Sequence, residues 1–195
     1  GAAFVLVLSE KMVKELNPYG VIVAVGGTPI IPNIPGIDSP NVCTAEDVLA
    51  GKVELKGKNI AVIGGGSTGL ETAELLARDN RVTVIEMMND VGTNLYQSVR
   101  ALLLKRLNEA GVEIITDHYL ESVKDGKIGL RVTSTAFEVE READAVVLAL
   151  GVKPRREIVS HFEEAFDKVT CVGDVVKPGL IRDAIKEAND KAFVF

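Results

Sequence analysis

The residues best suited to specific chemistry form one glycine-rich turn, Gly64-Gly65-Gly66-Ser67-Thr68-Gly69. Three of its glycines, Gly64, Gly66 and Gly69, have the G-x-G-x-x-G spacing. In that pattern the first glycine permits a tight turn, the second lets the backbone approach phosphates, and the third lets a helix pack closely on a strand. The turn therefore predicts a binding site for the pyrophosphate of a dinucleotide.

Such a turn needs a strand before it and a helix after it. The apolar run Asn59–Ile63 predicts the strand, and the apolar stripe of Thr68–Arg78, which starts at the Ser67-Thr68 pair, predicts the helix. The N–H groups of the first helical turn then point at the pyrophosphate, and the helix dipole favours its negative charge.

A carboxylate, Glu86, ends the next predicted strand, about 20 residues beyond the glycines, where the dinucleotide-binding fold has its ribose acceptor. Glu86 can accept hydrogen bonds from both ribose hydroxyls and would repel a 2′-phosphate. Met87, Met88 and Asn89 follow it, and none of them can neutralise that phosphate. We therefore expect NAD rather than NADP. A glycine-rich turn used only for packing and a methyltransferase turn are alternatives, and the chain beyond Glu86 does not support the methyltransferase.

The elements around the turn predict an α/β fold. Short apolar runs predict strands buried on both faces of a parallel sheet: Val21–Val25, Ile60–Gly64, Val82–Glu86, Val112–Ile115 and Ala145–Leu150. Further helices are expected at Leu95–Ala110, with Val99, Leu102, Leu103, Arg106 and Leu107 on one stripe and Gly111 as its cap, and at Asp183–Lys191.

Alternating residues from His118 to Arg141 predict an antiparallel β-meander with a turn at Asp125-Gly126. The proline-rich stretch Thr28–Asn41 predicts an irregular connector. The apolar run Ala2–Leu8 is too short for a membrane span and lacks the basic leader of a signal peptide, so we expect a buried strand there.

The composition excludes several classes of partner. The chain has 195 residues, 47% of them hydrophobic, and a formal charge of −6. Nucleic acid and anionic membranes are not expected as partners because both require a basic patch. Cys43 and Cys171 form no C-x-x-C pair, and His118 and His161 alone cannot hold a metal. We expect buried thiols, histidines at the surface or at a sheet edge, no metal site and a cytoplasmic protein.

The segment "GGGSTGLETA", Gly64–Ala73, resembles the NAD-binding turn of the pyridine nucleotide-disulfide oxidoreductase-like superfamily. The glycine-ended runs at Gly26 and Gly151 resemble its crossings between FAD and NAD domains, and "TCVGDVVKPGLIRDAIKEA" resembles its terminal FAD motif. The resemblance implies a Rossmann-like NAD-binding domain, with a three-layer ββα-type sheet plus the β-meander, at 48–153. This domain would be inserted in a partial FAD-binding domain at 1–47 and 154–195.

The resemblance also implies roles for single residues. Gly173 and Asp174 would lie on the flavin side of FAD. Gly26 and Gly151 would let the backbone pass close to a cofactor, a simple strand-ending turn being the alternative. Glu71 matches an acid near the nicotinamide; alternatively, it is an exposed first-turn acid that favours the helix dipole. No residue is expected to act as a catalytic acid or base.

More narrowly, "CTAEDVLAGK", "DVGTNLYQSVRALLLKRLNEAGVEI" and "LIRDAIKEA" resemble NADH:flavin oxidoreductases of the 2,4-dienoyl-CoA reductase and trimethylamine dehydrogenase type. This implies hydride transfer from NADH to FAD. The FMN and the iron–sulfur cluster would belong to an N-terminal flavin barrel outside this sequence, which would be the partner of this module. The alternative implied by the same branch is a module that holds ADP as a structural ligand. We expect the isolated chain to be inactive.

Overall fold

The computed structural model describes residues 10–195, so the strand predicted at Ala2–Leu8 lies outside the described residues. The described chain forms two compact units. The larger unit comprises residues 29–151, and the smaller comprises residues 10–28 with 152–195.

The bounds of the regular elements follow in chain order. The strands are β1 (Val21–Val23), β2 (Gly27–Pro29), β3 (Val42–Thr44), β4 (Asn59–Ile63), β5 (Arg81–Ile85), β6 (Glu113–Ile115), β7 (His118–Lys124), β8 (Lys127–Val132), β9 (Glu138–Glu142), β10 (Ala145–Leu148), β11 (Val152–Pro154) and β12 (Val169–Cys171). The helices are α1 (Glu10–Glu15), α2 (Ala45–Leu49), α3 (Ser67–Leu76), α4 (Gln97–Glu109), α5 (Arg156–Ala165) and α6 (Ile181–Ala192), with a 3₁₀ turn at Gly173–Val175.

The centre of the larger unit is a five-stranded parallel sheet in the order β3-β10-β4-β5-β6. All four residues of β10 are buried, as expected for an inner strand covered on both faces. Because β4 and β5 are adjacent and parallel, the chain that follows each strand leaves the same edge of the sheet. That edge is where ligands bind in open α/β sheets.

Alternate residues of β4 face two different layers. Ile60 and Val62 pack in one buried cluster with residues of α3 and α4, whereas Ala61 and Ile63 pack in a second cluster with residues of the meander. The sheet is therefore sandwiched between helices and the antiparallel strands β7-β8-β9. The predicted α/β fold with a three-layer sheet and a β-meander is confirmed.

The meander turns where the sequence predicts. Gly126 has a φ of 68°, a conformation that glycine adopts without strain, and β7 pairs antiparallel with β8 on either side of it. The strand β9 ends at Glu142, one residue beyond the predicted limit. Predicted strands in the parallel sheet are also confirmed, each within two residues of its expected limits.

Two burial predictions are wrong. Val99 and Leu102 of the predicted apolar stripe are 48% and 53% exposed, because α4 covers the sheet mainly with Leu103 and Leu107. In the smaller unit, the run predicted at Val21–Val25 forms only the three-residue β1. Ile22 is 46% exposed there, since β1 pairs with β12 in a two-stranded parallel sheet rather than a covered one.

The predicted cap of α4 is confirmed, since Gly111 follows the last helical turn with a φ of 73°. The connector predicted at Thr28–Asn41 is irregular except at its start, which lies in β2. The sequence analysis did not foresee α2, although Thr44 and Asp47 form a capping box, a recognisable signal for the start of a helix.

The cysteines and histidines are ordinary surface or half-buried residues. Cys43 and Cys171 are partly rather than fully buried, His118 is half-buried, and His161 is exposed. Among residues 10–195, no three His, Cys, Asp or Glu side chains are grouped so that they could hold a metal ion. Over the same residues, no helix combines the length and apolar character needed to cross a membrane.

Candidate nucleotide-binding site

The glycine-rich turn lies between the end of β4 and the start of α3. Gly64 has a φ of 109°, which only glycine adopts readily, and its N–H donates to the carbonyl oxygen of Ile85 at 2.8 Å. Gly66 is the N-cap of α3, and no side chain caps that helix. The first N–H groups of α3, at Ser67 and Thr68, lack partners within the helix and face outward from its N-terminus.

The glycines of the turn meet different surroundings. A Cβ on Gly69 would lie 1.9 Å from the carbonyl oxygen of Gly64, and a Cβ on Gly64 would lie 2.4 Å from that of Ala149. These positions need glycine so that α3 can pack against the strand ends. A Cβ on Gly66, by contrast, would meet nothing within 4 Å. The space in front of α3 is therefore open, and the site fits a phosphate group.

Glu86 directly follows β5 and is half-buried beside the turn. One carboxylate oxygen, Oε2, accepts a hydrogen bond from the N–H of Gly65 at 2.6 Å, and Oε1 accepts one from the N–H of Met88 at 2.8 Å. An ionised carboxylate can accept about four hydrogen bonds, so Glu86 retains acceptor capacity for ribose hydroxyls. Spacing predicted the acid at this point but gave no indication of its bond to Gly65.

The chain after Glu86 forms one wall of this site. Met87 and Met88 are 53% and 60% exposed. Further along, the side-chain amide of Asn94 donates to Ser67 Oγ at 3.1 Å, and the N–H of Gly92 donates to the carbonyl oxygen of Gly65 at 2.7 Å. The sequence analysis missed Asn94 and Gly92, because the pattern treats the stretch before α4 only as a connection.

Glu71 is exposed on α3, in the second turn of the helix. The helix has no acidic residue in its first turn, so the interpretation of Glu71 as a first-turn acid is wrong. The stabilising effect of the dipole falls off within the first turn. A role for Glu71 near a nicotinamide stays a prediction.

In the smaller unit, Gly26, Gly173 and Asp174 line one cavity of about 420 Å³. The rest of its lining is largely apolar and includes Ala184 and Ile185 of α6. The small residues in this lining leave room for a flat ring system, so the cavity fits part of a flavin.

Hydrogen bonds hold the 3₁₀ turn of that unit in place. The N–H of Gly173 donates to Glu187 Oε2 at 2.8 Å, and the N–H of Gly179 donates to Asp174 Oδ1 at 3.2 Å. Lys191 and the Gly173 N–H hold the pKa of the Glu187 carboxyl below its usual range.

Gly26 in the smaller unit and Gly151 in the larger unit both follow short strands. Their φ angles are 69° and 82°, and a Cβ on either would meet nothing within 4 Å. A strand-ending turn is thus sufficient to require glycine at both positions, and their approach to a cofactor stays a prediction.

Comparison with known proteins places this geometry in context. The family described as pyridine nucleotide-disulphide oxidoreductase matches residues 5–176. The metal reductase of Desulforamulus reducens is 29% identical over 213 residues, which cover 94% of this chain and 31% of that protein. The NADH oxidase of Thermoanaerobacter brockii is 32% identical over 191 residues, which cover 94% of this chain and 29% of that protein.

A solved structure gives the same picture of the fold. The 6-hydroxypseudooxynicotine amine oxidase of Pseudomonas geniculata N1 superimposes with a TM-score of 0.85 at 25% identity, over 95% of this chain and 30% of that one. The chain thus spans about three-tenths of the length of these proteins.

Proposed function

Because the chain belongs to the pyridine nucleotide-disulphide oxidoreductase family, we propose that it is the nucleotide-binding module of a flavin-dependent oxidoreductase that binds NADH. The pyrophosphate would lie at the glycine turn Gly64–Gly69, with the adenine-side ribose at Glu86. The domain limits expected from the sequence, with NAD bound by 48–153, are part of this proposal.

The observation that carries the proposal is the pairing of Glu86 with Gly65 beside the open N-terminus of α3. Glu86 Oε2 accepts a hydrogen bond from the N–H of Gly65 at 2.6 Å and so fixes the turn. We expect the same carboxylate to accept from a ribose hydroxyl when a phosphate occupies the space in front of Gly66. A turn used only for packing has no need for an uncapped helix start or for a half-buried acid beside it.

The preference for NAD over NADP rests on charge. The carboxylate of Glu86 would repel a 2′-phosphate, and the exposed side chains of Met87 and Met88 offer it no positive charge. Arg100, the next arginine after Glu86 in the chain, is already paired with Asp90. NADPH therefore has to place its additional phosphate beside an uncompensated negative charge.

FAD is the proposed second cofactor, and the cavity of the smaller unit supports it. Gly26, Gly173 and Asp174 would contribute to holding its flavin. The narrower proposal assigns the module to NADH:flavin oxidoreductases of the 2,4-dienoyl-CoA reductase and trimethylamine dehydrogenase type. Their FMN and iron–sulfur cluster would belong to an N-terminal barrel of the complete protein. The much greater length of the relatives supports this arrangement.

The proposed roles of the residues are binding and orientation. When both cofactors are bound, NADH supplies a hydride and FAD accepts it, so the protein needs to position the reactants rather than exchange protons with them. Gly64–Gly69 and Glu86 would fix the dinucleotide at its pyrophosphate and ribose, and Glu71 would lie toward its nicotinamide. The same turn and Glu86 would equally hold ADP as a structural ligand, which is the competing function.

Calorimetric titration of the chain with NADH, NADPH and ADP tests the proposal. We expect NADH to bind, NADPH to bind at least about tenfold more weakly, and ADP to bind more weakly than NADH. Equal affinity for ADP and NADH would favour the structural-ligand function, and no binding of any of the three would refute the proposed site. Without added flavin, we expect no NADH oxidation by the isolated chain.

A further inference from the structure

We propose that the segment Asp90–Asn94, held by Arg100 of α4, fixes the glycine turn in the conformation that binds a pyrophosphate. This makes Asn94 and Arg100 positioning residues of the site. The inference rests on the proposed nucleotide-binding function, and it assigns a role to a stretch that the glycine motif does not include.

The segment contacts the glycine turn at Gly65 in two ways. Gly92 donates its N–H to the Gly65 carbonyl oxygen at 2.7 Å. Val91, only 5% exposed, packs so closely that a Cβ on Gly65 would lie 2.5 Å from Val91 Cγ1. Since the N–H of Gly65 is held by Glu86, the peptide groups on both sides of this residue are fixed from outside the turn.

A third contact orients the hydroxyl group of Ser67. The Asn94 amide donates to Ser67 Oγ at 3.1 Å, so one lone pair of this oxygen is occupied. The Ser67 O–H then has to donate elsewhere. Ser67 is the first residue of α3, and an anion at the helix N-terminus is the acceptor that this orientation suits. Asn94 therefore acts through Ser67.

Arg100 holds the segment from the neighbouring helix. Its Nε donates to the Val91 carbonyl oxygen at 2.7 Å, and its guanidinium forms an ion pair with Asp90. Asp90 in turn accepts the N–H of Val91 at 2.9 Å. The arginine side chain is 29% exposed, so its planar fork is partly shielded from water. Without it, Val91 and Gly92 lose their support from α4.

The first test replaces the arginine and compares two ligands by calorimetry. We expect Arg100→Gln to weaken ADP binding by about tenfold, because a charge-assisted bond is lost, and to leave adenosine binding within about twofold. Adenosine lacks the pyrophosphate but would use the same ribose acceptor. General structural damage would therefore weaken the binding of both ADP and adenosine. Arg106→Gln is the matched control, since Arg106 lies on the same helix and pairs with Glu74 of α3.

The second test is a double-mutant cycle that does not depend on Arg100. We expect Asn94→Ala to weaken ADP binding severalfold in the native chain and to have no further effect in a Ser67→Ala background. Additive losses, or unchanged ADP affinity in Asn94→Ala and Arg100→Gln, would overturn the inference while leaving the proposed function intact. Failure of the unsubstituted chain to bind ADP and NADH would overturn both.

Discussion

Glu86 Oε2 accepts the N–H of Gly65 at 2.6 Å, across 21 residues of chain. The acid that the motif assigns to the ribose is thereby also the acid that holds the glycine turn, the proposed phosphate site. If Glu86 binds the ribose as proposed, ribose recognition and the shape of the turn are coupled through one side chain, and substitutions at Glu86 are expected to affect both.

Glu86→Gln tests this coupling. The amide keeps one acceptor oxygen but loses the negative charge and the second acceptor. We expect NADH affinity to fall by about tenfold, equal to about 1.4 kcal/mol, while NADPH affinity changes little because the repulsion of its 2′-phosphate is removed. Calorimetry with both nucleotides measures the change in preference. Glu109→Gln, on the exposed end of α4, is the control, and an unaltered NADH-to-NADPH ratio would rule out Glu86 as the ribose acceptor.

Gly66→Ala and Gly69→Ala separate binding from folding. A Cβ on Gly66 enters open space, so we expect the free energy of unfolding to change by less than about 1 kcal/mol and ADP affinity to fall about tenfold or more. A Cβ on Gly69 collides with the Gly64 carbonyl, so we expect a loss of about 2–3 kcal/mol in stability. Urea unfolding measures the stability of each variant, and calorimetry measures its affinity for ADP. Equal destabilisation by both substitutions would contradict the assignment of Gly66 to a ligand.

The capping box of α2 predicts a pH-dependent contribution to stability. The Thr44 hydroxyl donates to Asp47 Oδ2 at 2.6 Å, and this bond, followed by the one from Lys52, lowers the pKa of the Asp47 carboxyl. Stabilisation from a lowered carboxyl pKa is present above the unfolded value and is lost as the pH falls through the folded one. We expect Asp47→Asn to cost about 1 kcal/mol at pH 7 and the difference to shrink below about pH 4.

Urea unfolding of the native chain and of Asp47→Asn at several pH values measures this contribution. Asp38→Asn is a suitable control, since Asp38 is exposed in the irregular connector. A difference between native chain and Asp47→Asn that stays constant from pH 7 to pH 3 would show that the charge of Asp47 does not contribute.

The two thiols are expected to react slowly with alkylating agents. Burial raises the pKa of Cys43, with a further contribution from the charge of Asp47, and burial followed by the charge of Glu163 raises that of Cys171. The thiolate is the reactive form, so iodoacetamide should modify both more slowly than an exposed thiol at pH 7 and faster as the pH rises. Peptide mapping by mass spectrometry measures each site, with the chain in urea as reference. Equal rates in the folded and unfolded chain would contradict the prediction.

The sequence predicted the parts of the fold that depend on periodicity. The strands β4, β5 and β10 were predicted because unbroken apolar runs are typical of strands covered on both faces. Val99 and Leu102 were misplaced because helical spacing alone does not reveal how wide a face a helix buries. Short elements such as β3 and β11 were not predicted, since three residues give little periodic signal. The sequence analysis also missed α5, although it is as long as α3.

The candidate site was predictable where a known sequence pattern exists, at the glycine turn and at Glu86 after the next strand. The spacing of Gly64, Gly66 and Gly69 reports on a conformation of consecutive residues, so it can be read from the chain. The contacts of Asn94 and Arg100 join a connecting segment to that turn and to a helix. Such contacts depend on how elements pack, and no local pattern of residues encodes them.

The position of β10 has a consequence for the order of folding. Val146 pairs with Val42 on one side and with Ala61 on the other, so the strand synthesised last in this sheet occupies an inner place. Until β10 has emerged from the ribosome, β3 and β4 have no common partner. Until then the carbonyl group of Ala149 also cannot pack against Gly64. The proposed nucleotide site is thus completed only after residue 149 has been synthesised, and a nascent chain that stops before residue 145 lacks the strand that joins β3 to β4.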